Sequence, residues 1–186
     1  MNEVLEVIRQ RRSTRMFKSE QIKDEEIKEI LDAGIYAPSA TNKQPWHFTV
    51  IQNKEIIDSL NNDFKELAKK SENEYIRRVG ENEKFHTFYN APTVILISGD
   101  ENNNAAAVDC AAATQNMLLA AESLGIGSCW VGFIAYLLNS EKGKEYLKKL
   151  GIPEGYKQIH SVALGYKGVN ITNAPARKEN TVNYIK

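Results

Sequence analysis

Residues 93–132 read TVILISGDENNNAAAVDCAAATQNMLLAAESLGIGSCWVG, and this stretch decides the fold. Thr93–Ser98 is a continuous run of mostly β-branched residues, which suits a strand covered on both faces and therefore central in its sheet. Asn104–Leu124 is rich in Ala, Leu and Met and apolar on most sides. That predicts a long helix buried in a core or an interface, not one lying on a wet surface. Gly125–Gly132 turns the chain and enters another strand at Cys129-Trp130-Val131.

Working outward, Trp46–Gln52 reads as a strand, with Phe48, Val50 and Ile51 as β-formers, and Gln158–Tyr166 as a fourth. Val4, Leu5 and Ile8 at helical spacing predict a helix over about residues 2–10. A second helix starts at Asp24, the expected N-cap, with Glu25 and Glu26 in its first turn, and stops before Pro38. Asn53–Lys70 carries the apolar stripe Ile56, Ile57, Leu60, Phe64 and Leu67, and Ser140–Leu150 reads as a short charged helix. Ser71–Asn90 is aperiodic and charged, with Tyr75, Phe85, Phe88 and Tyr89 scattered through it. It reads as a surface excursion with some helix, either a small lid or a solvated connection. The last twenty or so residues are polar and irregular. Their β-formers Val182, Tyr184 and Ile185 could add an edge strand, on this chain or on a partner. Helices and strands mix without strict βαβ alternation, so the expected class is α+β, a sheet of four or five strands flanked by helices. A length of 186 residues fits a single domain over residues 1–186.

Composition excludes several function classes. Lys+Arg and Asp+Glu are both 24, so the chain lacks the cationic excess that bulk nucleic acid or an anionic membrane demands. Two cysteines, Cys110 and Cys129, are too few for a disulfide scaffold or a four-thiolate metal site. The longest apolar stretch is interrupted by Gln115, Asn116 and Glu122, and no basic-then-apolar leader is present at the start. The expectation is no membrane, no nucleic acid and a reducing, cytoplasmic location. His47, His86 and His160 offer no metal-ligand spacing, and neither a Ser nucleophile elbow nor His-Glu-x-x-His occurs. Both thiols lie in apolar surroundings and read as buried and structural.

Four clusters remain as candidate chemistry. Arg11-Arg12-Ser13-Thr14-Arg15 places three guanidiniums and two hydroxyls just past the first helix, a set suited to one phosphate or, alternatively, a solvated basic patch. Ala37-Pro-Ser-Ala-Thr-Asn-Lys-Gln-Pro-Trp46 is a turn-rich loop whose Asn42 and Gln44 can donate and accept at once, as the edge of a heterocycle requires. Read alone, it is an ordinary capped loop. Gly125-Ile-Gly-Ser-Cys-Trp-Val-Gly132 is not the dinucleotide fingerprint, because a helix precedes it and the sixth place is Trp130. Its glycines make a tight turn or let backbone approach something flat. Ala174-Pro-Ala-Arg-Lys178 matters only if the tail folds back to the first cluster.

In this order, and together with Asp109–Gly132 and Ala163-Leu-Gly-Tyr166, these segments resemble the flavin-dependent nitroreductase family over nearly the whole chain. Residues 53–90 are the least diagnostic part. The resemblance implies a nitroreductase-like α+β fold with a mostly antiparallel sheet, an intertwined homodimer, and one FMN per subunit in the dimer interface. It implies that Arg11, Arg12, Ser13 and Arg15 hold the FMN phosphate and ribityl chain, with Arg177 closing on the phosphate. It implies that Pro38, Ser39, Ala40, Asn42 and Gln44 come from the other subunit to line the isoalloxazine, and that Trp130, Val131 and Gly132 lie along the ring. The tail, residues 167–186, would pack on the partner, and residues 71–90 are the only candidate for a substrate-covering lid.

The implied activity is that of an FMN-dependent oxidoreductase: NADH or NADPH reduces the flavin and leaves, and a small oxidised acceptor such as a nitroaromatic or quinone follows. No side-chain acid or base is required, since the cofactor carries the chemistry. Other chemistry on the same scaffold, a non-catalytic flavin-binding redox module and a flavin-free protein are the rival expectations. Many family members carry serine where Ala40 stands, which removes one hydroxyl from the implied site.

Overall fold

The computed structural model describes residues 2–186. Four strands, β1 (Trp46–Ile51), β2 (Thr93–Asp100), β3 (Ile126–Val131) and β4 (Tyr156–Tyr166), form one sheet in the order β1-β2-β4-β3. Every pair in it is antiparallel: Trp46 lies opposite Gly99, Thr93 opposite Leu164, and Ile126 opposite Tyr166. The expected mostly antiparallel sheet of four or five strands is thus a wholly antiparallel sheet of four among the described residues. β2 and β4 are central, as the unbroken apolar run of β2 requires. That run sorts itself by the period of the strand: Val94 and Leu96 point to one core, Ile95 and Ile97 to the other.

Seven helices among the described residues cover the sheet: α1 (Glu3–Gln10), α2 (Asp24–Ile35), α3 (Lys54–Ala68), α4 (Glu74–Glu81), α5 (Ala106–Ser123), α6 (Ile134–Leu138) and α7 (Gly143–Lys149). On one face α3 and α6 pack Leu60, Phe64, Leu137 and Leu138 against Val94, Leu96, Cys129 and Val131. On the other, α2 and α5 pack Ile30, Met117 and Leu118 against Ile95, Ile97, Ile126 and Val162. α5 buries Cys110, Ala113, Thr114, Met117 and Ala121, yet Val108 on its other side is 72% exposed. α1 buries none of its residues, and Val4, Leu5 and Ile8 stand in solvent.

Three local expectations are corrected, and one helix stands where none was expected. α6 has five residues, too few for a 3.6-residue period to register in sequence. β3 begins at Ile126, not at Cys129, because Gly125 alone makes the turn, at φ +74°, and Gly127 is already in the strand. The N-cap of α2 is Lys23, whose N–H donates to the Glu26 carboxylate at 2.8 Å. Val182, Tyr184 and Ile185 form no strand on this chain; they extend into solvent after Tyr166, where β4 ends.

Candidate functional site

The basic run begins where α1 stops. The Arg11 N–H donates to Val7 O at 2.9 Å as the last bond of that helix, and the chain then turns extended. It is laid on the sheet edge by two main-chain bonds, Thr14 N–H to Ser128 O and Lys18 N–H to Tyr166 O, both 2.9 Å. Thr14 lies directly over Gly127, where a Cβ would come within 2.8 Å of its Cγ2. A glycine in β3 is therefore the condition for the Arg-rich segment to sit there.

The guanidiniums are held unevenly. Arg12 Nη1 donates to Arg9 O at 2.7 Å and Arg11 O at 2.8 Å, satisfying carbonyls at the C-terminus of α1. Arg12 Nε, Arg11 Nη1 and the Ser128 hydroxyl are buried without a hydrogen-bond partner. Unpaired buried donors of charged groups are costly, so an arrangement that keeps them fits an anion seated among them. Arg12 also opens onto a groove of about 430 Å³ shared with Arg9, Thr14, Glu122 and Lys167. There Lys167 pairs with Glu122 at 2.8 Å.

Arg15 stands 5.7 Å over the Tyr89 ring. Hydrogen bonding with the Tyr89 side chain is the largest influence on Arg15 and raises its pKa, so its charge is secure. Cys129 lies within the field of Arg15 and Arg11, but burial outweighs them and pushes its pKa up. Cys110 is pushed up to about 12 by burial first and then by Asp109. Neither thiol is a nucleophile at neutral pH.

At the far end of β3, Trp130 packs edge-on against the His160 ring, centroids 4.7 Å apart. Val131 O accepts the buried Ser161 hydroxyl at 2.7 Å. Gly132 is exposed, and a Cβ built on it would meet nothing within 4 Å. β3 is an edge strand of the sheet; its outer edge is bridged at Ser128 by Ser13, and no further strand pairs with it beyond that point among the described residues.

The loop before β1 is fixed at one point and strained at three. The Ala40 N–H donates to both carboxylate oxygens of Asp109, 3.2 Å each, in the first turn of α5. Ser39 Oγ accepts the Gln44 N–H at 3.0 Å, and Gln44 Nε2 donates to Asn42 Oδ1 at 3.2 Å. Thr41, Asn42 and Gln44 have φ of 51°, 56° and 46°, conformations that non-glycine residues hold only when their surroundings impose them. Pro38, Ala40, Asn42 and Gln44 are all presented to solvent.

The sequence-derived residues therefore fall into three places. Arg11, Arg12, Ser13 and Arg15 come together along β3 with Trp130, Val131 and Gly132. Pro38, Ser39, Ala40, Asn42 and Gln44 stand at the N-terminal end of α5; Asp109, their tether, is thirteen residues before Glu122, about 20 Å along a helix. Arg177 is exposed in the tail, its guanidinium donating to Pro175 O at 2.9 Å, within its own segment and not to the cluster. Asp109, Tyr89 and His160 join the site from outside the four clusters that the sequence marks, while Thr14 lies inside the first and Ser128 inside the third. Asp109 is one of only two carboxylates in a mostly apolar helix, and it stands in the first turn, a signal that could have found it. Tyr89 lies in an aperiodic stretch that marks none of its residues.

Among the described residues no group of His, Cys, Asp and Glu could hold a metal ion, and no helix is long and apolar enough to cross a membrane. The family model described as Nitroreductase family matches residues 8–166. A crystal structure of a nitroreductase with bound FMN from Bacteroides fragilis superposes with a TM-score of 0.93 at 38% identity, covering 100% of both chains. A relative from Archaeoglobus fulgidus, whose name pairs NADH dehydrogenase with NAD(P)H nitroreductase, is 36% identical over 171 residues, 89% of this chain and 86% of its own. An NADPH-flavin oxidoreductase of Vibrio harveyi is 32% identical over 175 residues, 91% of this chain and 68% of its own.

Proposed function

The chain belongs to the nitroreductase family, and on that premise we propose that it is an FMN-dependent NAD(P)H oxidoreductase acting on nitroaromatics, quinones or related acceptors as a homodimer. The observation that carries this reading is the pair of buried, unpartnered guanidinium nitrogens on Arg11 and Arg12 at one end of β3, with open space over Gly132 at the other. From Ser128 to Gly132 the chain advances four residues, about 13 Å in extended conformation, within reach of a ribityl phosphate arm and the edge of its ring.

When bound, FMN supplies the redox chemistry, taking reducing equivalents from NADH or NADPH and passing them to the acceptor after the donor has left. The protein binds and orients. Arg11, Arg12, Ser13 and Arg15 hold the phosphate and ribityl chain, and Arg177 closes on the phosphate from a tail that packs on the second copy. Trp130, Val131 and Gly132 lie along the ring, where outward backbone N–H groups of the edge strand can donate to it. The Pro38–Gln44 loop of the second copy covers the ring from the other side.

Dimerisation is supported by apolar surface that one copy leaves wet. Val4, Leu5 and Ile8 of α1, Ile35 and Tyr36 at the end of α2, and Val108 of α5 are all exposed. Tail residues Val182, Tyr184 and Ile185 are exposed with them. Covering such surface is worth about 25 cal/mol per Å²; Val4 and Tyr36 line one hollow with Val7, Leu119 and Ala120, and exposed apolar patches mark association sites.

The test is direct. The purified protein is expected to carry stoichiometric FMN, identified after release by denaturation, and to oxidise NADH or NADPH with menadione as acceptor. A colourless protein that takes up no added FMN refutes the reading, and a flavoprotein without turnover makes it a binding module. The double variant Arg12→Ala, Arg15→Ala is expected to lose the flavin; full occupancy in that variant would refute the phosphate assignment.

A further inference from the structure

The segment after α4 folds into a tight turn around His86 and Tyr89. Thr87 donates to buried Asn61 Oδ1 through both its N–H, at 2.8 Å, and its hydroxyl, at 3.0 Å, which pins the segment to α3. Next to it, His86 Nδ1 accepts two main-chain bonds, from Phe88 N–H at 3.1 Å and Asn90 N–H at 3.2 Å. An imidazole nitrogen that accepts carries no proton, so the ring is neutral with its proton on Nε2. Between the two bonded residues, Tyr89 has φ 55°, and Asn90 has φ 55° as well. Two consecutive non-glycine residues in the left-handed region do not stay there unaided. The doubly accepting imidazole holds them, together with the main-chain bonds from Tyr89 N–H to His86 O at 2.9 Å and from Ala91 N–H to Phe88 O at 3.0 Å.

Tyr89 is the residue whose ring lies 5.7 Å beneath the Arg15 guanidinium. Phe85 meets the same ring edge-on, centroids 6.0 Å apart. We propose that His86 and Tyr89 are positioning residues for the cofactor cradle: neutral His86 holds Tyr89 in its left-handed conformation, and Tyr89 sets the place of Arg15. The inference rests on the FMN reading above and adds residues to it from outside the four clusters.

A pH dependence follows from the geometry. Protonation gives His86 a second N–H, which would face two N–H donors at hydrogen-bonding distance, so the turn and the charged imidazole are incompatible. The charged groups around His86 come from α3: Asp58, 3.7 Å from Nε2, favours protonation, while Lys54 and Lys65 oppose it. Burial is the largest influence and pushes the pKa down. The turn is therefore intact at neutral pH and is lost in acid, below the ordinary histidine value.

The experiment follows FMN release from the holoprotein by fluorescence recovery on serial dilution, between about pH 5 and pH 7.5, across the ordinary histidine range. Tyr89→Ala is expected to bind FMN about tenfold more weakly than wild type at neutral pH, and Tyr89→Phe, which keeps the ring under the cation but loses the hydroxyl, to fall between the two. His86→Gln can accept through its side-chain oxygen and cannot be protonated. It is expected to match wild type at neutral pH and to hold FMN more tightly than wild type at the acid end. The phosphate of FMN titrates in the same range, but equally in both proteins, so it leaves their ratio unchanged. A cooperative, unshifted melt of each variant shows that the fold is retained. Tyr89→Ala with wild-type affinity overturns the inference at Arg15. Parallel pH profiles for wild type and His86→Gln overturn it at the turn. A wild-type protein that binds no FMN at any pH refutes the proposed function, and this inference with it.

Discussion

Replacing Asp109 separates the site from the stability of the fold. Its carboxylate is buried, and both oxygens accept from the Ala40 N–H at 3.2 Å. That shared bond joins the strained loop to the helix. A hydrogen bond to a charged acceptor contributes about 1.5–3 kcal/mol. Ala40 is exposed, so its N–H finds water when the carboxylate is gone, and the loss falls toward the lower end, about 1.5 kcal/mol. The buried charge is itself costly, so removing it offsets part of that loss in global stability. Asp109→Ala is therefore expected to melt within a few degrees of wild type. The loop is affected differently, because left-handed backbone at Thr41, Asn42 and Gln44 persists only while the surroundings impose it. Losing about 1.5 kcal/mol of that restraint corresponds to roughly tenfold weaker FMN binding where the loop contributes to the site. Asp109→Asn keeps one acceptor oxygen and is expected to fall between. The assays are a thermal melt and FMN release on dilution, with turnover measured under saturating flavin. Unchanged flavin affinity in Asp109→Ala would refute the claim that this anchor holds a functional loop. A large fall in melting temperature would refute the claim that its role is local.

Further expectations concern other parts of the molecule. Gly127→Ala drives a methyl into Thr14 and should lift the Arg-rich segment from β3, so flavin should be lost at near-normal secondary structure; flavin retention measured by absorbance would contradict this. Tyr146 donates to Asp63 at 2.8 Å and Lys142 pairs with it at 2.8 Å. Desolvation, the largest influence on Asp63, raises its pKa, but the bonds from Lys142 and Tyr146 together outweigh it and the net shift is down. A lowered folded-state pKa contributes stability above the unfolded value, which is lost as pH falls through the folded one. Tyr146→Phe should therefore cost about 0.5 kcal/mol above about pH 4, the pair being partly solvated, and the deficit should shrink in acid. Urea midpoints against pH would show it, and a deficit that grows toward acid would contradict the assignment. Cys110 and Cys129 are buried with raised pKa values, so neither should react with a thiol reagent at neutral pH until the protein unfolds. Stoichiometric labelling of the native protein would contradict that.

What was legible in the sequence is what a local rule dictates. A run of β-branched residues with no polar break reads as a covered strand, and β2 is one. Apolar spacing in α2 and α3 located those helices to within a few residues. The order β1-β2-β4-β3 has no local signature, because strand pairing joins residues far apart in sequence, from thirty positions for Val131 with Ser161 to seventy-one for Thr93 with Leu164. α6 escaped because five residues carry less than two turns of periodicity.

The site divides along the same line. Three arginines and a serine in five residues identify themselves as an anion cluster by composition alone. That two of the guanidiniums have buried, unpaired nitrogens depends on Thr14 crossing Gly127, a meeting of segments more than a hundred residues apart. The left-handed loop depends likewise on Asp109, sixty-nine positions from Ala40. Tyr89 beneath Arg15 depends on a histidine tautomer selected by two backbone N–H groups. By itself the sequence determined which residues could meet an anion and which segments could cross a core, since side-chain chemistry and periodicity act over a few residues. Only the tertiary structure decided which donors remain unsatisfied and which strained conformations are held, because burial and hydrogen bonding are properties of whatever chain happens to lie alongside.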